Sequence, residues 1–423
     1  MSSDKKTIEI DNQTLENLEF NRKNIESLSY VKLMDSDVEN NVDLFCYLNC
    51  KKTDNEFIQR CRGIVFNNDK LVLKSFPYNI EYTDTDYDEV CETIGPIFKE
   101  CLFYKSYEGC LVRIFNINNK WYISTNKKLD VFKSKWSSKQ SYGIFFRDAL
   151  MYQLENNEKL KEKLKDIEIN QDNIIDVFCN NILDKERQYM FLLLNNSENR
   201  IVCKEPENQT VYHVGTFIDG ELNMKDDIYI PYPELLNFNS IDDIFLYNEE
   251  IDYNVLQGVI IFAPNNRQYK ILNTHYSNYY NIRGNEPSIK YRYLQVRMNI
   301  EQNKMLHKLY PNNKKDFEEY ENFIFEASKN IYNAYVNRYI KKLYVTVPSE
   351  EYNVIKEAHT WYLEDRKINK INYEKIMNIL NKQTSTNLNK IIKRLKLGKN
   401  ETTIVEKERK QPVQKRLLVT IPK

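Results

Sequence analysis

The chain changes its hydrophobic period once along its 423 residues, near residue 300, and this change limits the possible folds more than any single motif does. Upstream, short β-branched or aromatic runs at 44–48, 63–66, 71–73, 101–103, 110–115 and 121–124 are separated by Asn-Asn, Asn-Asp and Asn-Asn-Lys turn signals. Residues 110–124 predict a hairpin. Helical spacing interrupts the strands at 145–150, 157–165 and 171–183, where Ile174, Ile175, Val177, Phe178 and Ile182 fall close to a 3.6-residue period. Strands are expected again at 189–194, 200–203, 211–217, 259–262 and 268–272. Beyond residue 300, Phe317, Tyr320, Ile324, Ala327, Ile331 and Tyr335 stand three or four apart, which is the stripe of an amphipathic helix. The fold class is therefore α+β, with antiparallel sheets and helices over 1–300, an all-helical domain over 301–395 and a basic tail over 396–423.

Composition narrows the function classes. No run of eighteen apolar residues occurs, and the start of the sequence lacks the apolar stretch of a signal peptide, so no membrane partner and a cytoplasmic location are expected. The eight cysteines are scattered singly, at 46, 50, 61, 91, 101, 110, 179 and 203, with no CxxC pair and only four histidines. Reduced, mostly buried thiols follow, and no metal site. The four histidines, His213, His275, His307 and His359, read as structural. Asn, Ile, Lys and Tyr dominate, with 31 tyrosines against nine glycines, which suggests an AT-rich coding genome. Net charge is zero, but residues 388–423 hold eleven Lys or Arg against three Glu. A basic end on a neutral body suits nucleic acid or an acidic protein surface.

The segment 103–112, FYKSYEGCLV, holds Lys105, Glu108 and Gly109 between apolar runs. Three further segments accompany it in order: QRCRGIVF at 59–66, FLLLNNSENRIV at 191–202, and VLQGVIIF at 255–262 leading into RQYKIL at 267–272. Together they resemble the phage-type RNA ligase family of the lysine nucleotidyltransferase superfamily, over nearly the whole length. The helical region, with MLHKLYP at 305–311, is similar to the C-terminal extension of such ligases.

The resemblance implies a nucleotidyltransferase fold of the RNA/DNA ligase kind and covalent adenylyl transfer, with ATP and Mg2+ as cofactors. A lysine amine attacks the α-phosphate, acidic side chains hold metal, and further lysines neutralise phosphate oxygens. Against that pattern the sequence departs at four places. The nucleophile position falls on Ser106, with Lys105 one residue away; successive strand residues face opposite sides, so only a bulge would bring Lys105 into the pocket. The acidic position of the central strand falls on or beside Leu193. Gln257 stands where glutamate belongs, and Leu272 replaces the second lysine of the motif that retains Lys270. Arg62, Gly109, Gln257 and Lys270 remain as the nucleotide-binding candidates.

These departures favour a catalytically altered ligase-like protein that binds RNA, nucleotide or a protein complex, with no cofactor of its own. An active ATP-dependent RNA ligase, using Lys105 with Glu108 and either Asp130 or Glu198 on metal, is the alternative; a structural or assembly subunit of a viral complex, in an infected cell or a virion, is another. Arg60, Arg113, Lys127, Lys128 and Arg267 are the candidate RNA contacts, since cationic side chains bind phosphate without reading sequence. Tyr104, Tyr107, Trp121 and Tyr122 are candidate base-stacking residues.

Overall fold

The computed structural model describes residues 18–398 and the short strand 403–405. The chain forms two compact units, dividing between Pro287 and Ser288.

The first unit is built on three sheets. Strands β1 (Val31–Asp37), β2 (Val42–Tyr47), β3 (Ile64–Asn67) and β4 (Lys70–Leu73) form an antiparallel meander in sequence order. Asn41 and Asn68 take positive φ in its turns, a conformation that Asn tolerates better than most residues. β5 (Ile80–Tyr82) and β6 (Leu102–Ser106) belong to a second sheet, while β7 (Gly109–Ile117) and β8 (Lys120–Ser124) form the predicted hairpin. Its two-residue turn, Asn118-Asn119, has positive φ at both positions, which matches the twist of the flanking strands. β9 (Gln188–Leu194), β10 (Val211–Ile218) and β11 (Glu221–Asn223) extend that hairpin into a five-stranded antiparallel sheet ordered β11-β10-β9-β7-β8. β12 (Leu235–Leu236), β13 (Gly258–Phe262) and β14 (Gln268–Leu272) complete the other, ordered β12-β6-β13-β14-β5, in which only the β14–β5 pair is parallel.

Each sheet covers one face with helices and turns the other inward, as period-two alternation requires. Helices Arg22–Ser27 and Glu56–Arg60 pack on the meander through Ile25, Phe57, Ile58, Phe45 and Phe66. Helices Tyr142–Asn156 and Ile174–Ile182 back the β7–β10 sheet through Phe146, Phe178, Phe191 and Leu193. Helices Tyr87–Ile94 and Ile241–Glu250 back the β6–β13–β14 sheet through Ile94, Phe103, Ile244, Val259 and Ile271. The inner faces meet in one shared core, where Leu44, Val65, Phe76, Tyr104, Phe115, Met190, Val214 and Phe262 are buried together. Burial of each such side chain contributes about 1.5–3 kcal/mol, and the shared core fixes the spacing of the two five-stranded sheets.

The second unit is mainly helical. The predicted stripe lies on helix Lys314–Tyr335, with Phe317, Tyr320, Ile324, Ala327, Ile331 and Tyr335 all buried. Helices Ser349–Glu364, Tyr373–Asn381 and Ser385–Lys396 pack around it. Helix Ile289–Val296 also packs on Lys314–Tyr335 and Ser385–Lys396, which draws the division to residue 287 from the expected 300. The unit is not purely helical, because β15 (Tyr344–Thr346) pairs with β16 (Thr403–Val405), taken from the expected tail. The remaining part of that tail, 399–402 and 406–423, lies outside the described residues. No helix among the described residues is long and apolar enough to cross a membrane.

Candidate functional site

The inner faces of β6, β13 and β14 meet those of β7 and β9 around a small cleft of about 120 Å3, bordered by Arg62, Asn79, Ser106, Leu192, Gln257 and Lys270. The register of β6 decides which residues enter it. β6 pairs with β13 without a shift from Leu102↔Phe262 to Ser106↔Gly258, so no bulge interrupts the strand. Tyr104 therefore joins the shared inner core, Phe103 the helix-backed outer core, and Ser106 and Lys105 alternate accordingly.

Ser106 Oγ is buried and donates to Gln257 Oε1 at 3.1 Å. Lys105 Nζ instead sits 2.6 Å from Glu234. That hydrogen-bonded carboxylate raises the Lys105 pKa, outweighing partial burial, with Tyr247 close by. Protonation is thereby favoured, the opposite of what a nucleophilic amine requires.

Lys105 and Lys270 both border the cleft, and Lys270 is the amine that joins Ser106 on Gln257. Its Nζ donates to Gln257 Oε1 at 2.9 Å and lies 3.8 Å from Glu81. Burial lowers its pKa, and nearby Arg62 acts in the same direction against Glu81 and Glu108. Gln257 ties the site together, because its Nε2 also donates to Tyr276 Oη at 2.7 Å. A glutamine suits this role, since its carbonyl accepts from Ser106 and Lys270 while its amide donates.

Tyr276 Oη then donates to Glu108 Oε2 at 3.2 Å. The Glu108 carboxylate also accepts the backbone N–H groups of Ile201, Val202 and Cys203 at 2.7, 2.8 and 3.2 Å, and Asn195 Nδ2 at 3.2 Å. Burial pushes the Tyr276 phenol well above its ordinary pKa, so it stays a donor. This arrangement overturns the expected strand at 200–203: its amides bond to a carboxylate instead of to a neighbouring strand.

A Mg2+ ion does not fit these residues. Glu108 spends its lone pairs on five protein donors, Gln257 carries no charge, and no group of three His, Cys, Asp or Glu able to hold a metal occurs among the described residues. Asp130 caps a short turn by accepting from Phe132 N–H, and Glu198 binds Ser138, so neither joins Glu108. A phosphate or a ring with a donor fits better. Arg62 and Lys270 supply positive charge, Leu192 an apolar wall, and Asn79 a buried Oδ1 with no hydrogen-bond partner among the described residues.

The other expected positions separate. Leu193 points into the helix-backed core, so the cleft-facing residue of β9 is its neighbour Leu192, although that position is still apolar. Leu272 is buried, opposite Gly258 in the β13–β14 ladder. Gly109 lies against β9, where an added Cβ would collide with the Leu193 carbonyl. Arg113 cannot contact RNA, because it is fully buried and clamps the Gly63 and Thr125 carbonyls between two sheets. Burial lowers its pKa to about 9.

Arg60 lies over the Phe20 ring, Arg267 pairs with Glu56 at 2.7 Å and Lys128 with Asp35 at 3.6 Å, while Lys127 is exposed. Among the aromatic candidates, Tyr122 stacks on Phe115 and Tyr107 on Tyr212, and Trp121 Nε1 donates to Asn180. The basic run at 388–398 is largely spent inside the second unit, where Lys390 and Arg394 pair with Glu350, and Lys396 with Glu319.

Tyr276 was not anticipated. Its helix, Thr274–Arg283, buries Tyr276, Tyr279 and Arg283, and tyrosines together with an arginine leave no apolar stripe to notice. The Asn273 N-cap was the one available signal.

No family model matches the chain. It is 29% identical to the immediate-early protein ICP-46 homolog of Invertebrate iridescent virus 6, across 77% of this chain and 72% of that protein. It is 26% identical to the immediate-early protein ICP-46 of Frog virus 3, across 56% and 58% of the two chains. A weaker match, 21% identical across 50% of this chain and 29% of the other, joins it to a candidate bifunctional polynucleotide kinase/RNA ligase of Autographa californica nuclear polyhedrosis virus. Among solved structures it is similar to an RNA ligase of Naegleria gruberi, with a TM-score of 0.28 and 8% identity across 45% of this chain and 55% of that one. A candidate ATP-dependent DNA ligase of Aquifex aeolicus gives a TM-score of 0.37 and 12% identity across 80% and 86%.

Proposed function

We propose that this is a ligase-related viral protein whose cleft binds a nucleotide or an RNA phosphate without forming a lysyl-adenylate. The observation that carries the proposal is how the amines are held: Ser106 and Lys270 meet on Gln257 inside the cleft, while Lys105, at the cleft's border, has its Nζ paired with Glu234. Arg62, Lys270 and the Asn79 acceptor, which has no partner among the described residues, support a phosphorylated ligand with a ring donor. With Glu108 committed to five protein donors, expulsion of pyrophosphate would lack that carboxylate's electrostatic help.

The test is incubation of the full chain with [α-32P]ATP and Mg2+, followed by denaturing electrophoresis. No covalent label is expected. Label that disappears in Lys105→Ala or in Lys270→Met would instead establish an active nucleotidyltransferase. Binding is read separately, by titrating ATP and a 5′-phosphorylated RNA into the wild type and Lys270→Met. Weakening on the order of tenfold is expected from loss of one charge-assisted contact, whereas unchanged affinity would remove the cleft from the binding site.

A further inference from the structure

A second and larger pocket, about 260 Å3, opens where β14 begins, bounded by helix Glu56–Arg60, the loop after β4 and the β10–β11 turn. Gln268 borders both this pocket and the cleft. Its volume is near the lower end for small-molecule sites. Phe217 and Tyr269 are buried in its wall, and Tyr78 is half-buried there.

Its charge is uneven. Glu56 neutralises Arg267 at 2.7 Å, and Glu221 lies at the border. Lys74 is exposed and Arg60 lies over the Phe20 ring, neither having an ion-pair partner among the described residues. Beside Lys74, Ser75 is 5% exposed, and its buried Oγ has no hydrogen-bond partner among the described residues. A buried hydroxyl left unsatisfied is costly, and an occupant that could bond to it would recover that cost.

We infer that this pocket is a binding site, separate from the cleft, for a phosphomonoester carrying one planar ring, of nucleoside monophosphate size. Lys74 and Arg60 meet the phosphate, Ser75 Oγ donates to one of its oxygens, and the ring lies against Tyr78 and Phe217. The inference does not depend on what occupies the cleft.

The test is isothermal titration of the full chain at low salt with AMP, with adenosine and inorganic phosphate as separate arms. AMP is expected to bind more tightly than either alone. Lys74→Gln and Ser75→Gly should each weaken AMP on the order of tenfold, the glycine retaining the positive φ of Ser75. In Lys270→Met, which weakens the cleft, AMP binding that is lost on adding Lys74→Gln should persist. The inference is overturned if AMP does not bind the wild type, if Lys270→Met abolishes binding while Lys74→Gln preserves it, or if phosphate alone binds as tightly as AMP.

Discussion

Replacing Glu108 by Gln would keep the side-chain shape but turn an amide donor toward a cluster of donors. The Ile201, Val202 and Cys203 amides would lose part of their acceptor, and a cost of about 2–3 kcal/mol is expected in urea unfolding. A near-neutral result would mean that Glu108 is not the organiser of this turn. His213 gives a pH-dependent counterpart. It is fully buried, its Nε2 lies 3.0 Å from Thr216 Oγ1, and burial lowers its pKa to about 4. The unfolded chain, with His near 6.5, binds the extra proton first. Stability is therefore expected to fall as pH drops from about 6.5 to 4, by up to roughly 3 kcal/mol. His213→Gln should flatten that part of the stability profile, and an equally steep profile in the variant would assign the effect elsewhere. At this scale the sequence identified Glu108 and His213 as residue types. It could not show that Glu108 serves backbone amides almost a hundred positions away, because such a contact leaves no local pattern.

Strand direction decides the site at the scale of elements. The β6–β13 ladder runs unshifted, and the alternation it imposes puts Ser106 on Gln257, whereas Lys105, at the cleft's border, turns its amine to Glu234. The sequence supplied that alternation, so it was legible that Lys105 and Ser106 would take different partners. It did not supply the parity of β9, where Leu192 and not Leu193 borders the cleft. Either residue of an all-leucine run can face inward, and only the packing of β9 against its neighbours selects one. Gly258 holds the same ladder from the other side: its φ is +150°, and an added Cβ would collide with the Ile271 carbonyl. Gly258→Ala is expected to cost about 3 kcal/mol and, by displacing Gln257, to weaken ligand binding in the cleft. Wild-type thermal stability in that variant would contradict the close β13–β14 approach.

For the whole molecule, the two units carry different acid sensitivities. Glu350, in the second unit, is largely buried; burial opposes its ionisation, but its own backbone N–H, Lys390 and Arg394 outweigh this and hold its pKa at about 2. The unfolded carboxyl titrates near 4.5, so Glu350 stabilises the unit above that pH and the contribution is lost as pH falls toward 2. Acid unfolding followed by circular dichroism should begin at a higher pH in Lys390→Ala with Arg394→Ala than in the wild type. The same onset in both proteins would show that these ion pairs are not what depresses Glu350. The periodicity of the sequence by itself determined that an α+β body would be followed by a helical region, and residue types alone set the expectation of departures at Ser106, Leu193, Gln257 and Leu272. Hydrophobic period and side-chain chemistry are local properties, written within a few residues of each position. Only the tertiary structure decided the boundary at Pro287, the pairing of 403–405 with β15, the internal use of Arg113 and the tail cations, and the union of Glu108, Gln257, Lys270 and Tyr276. Each of these joins residues distant in sequence, and such partners are chosen by the packing of whole sheets and helices.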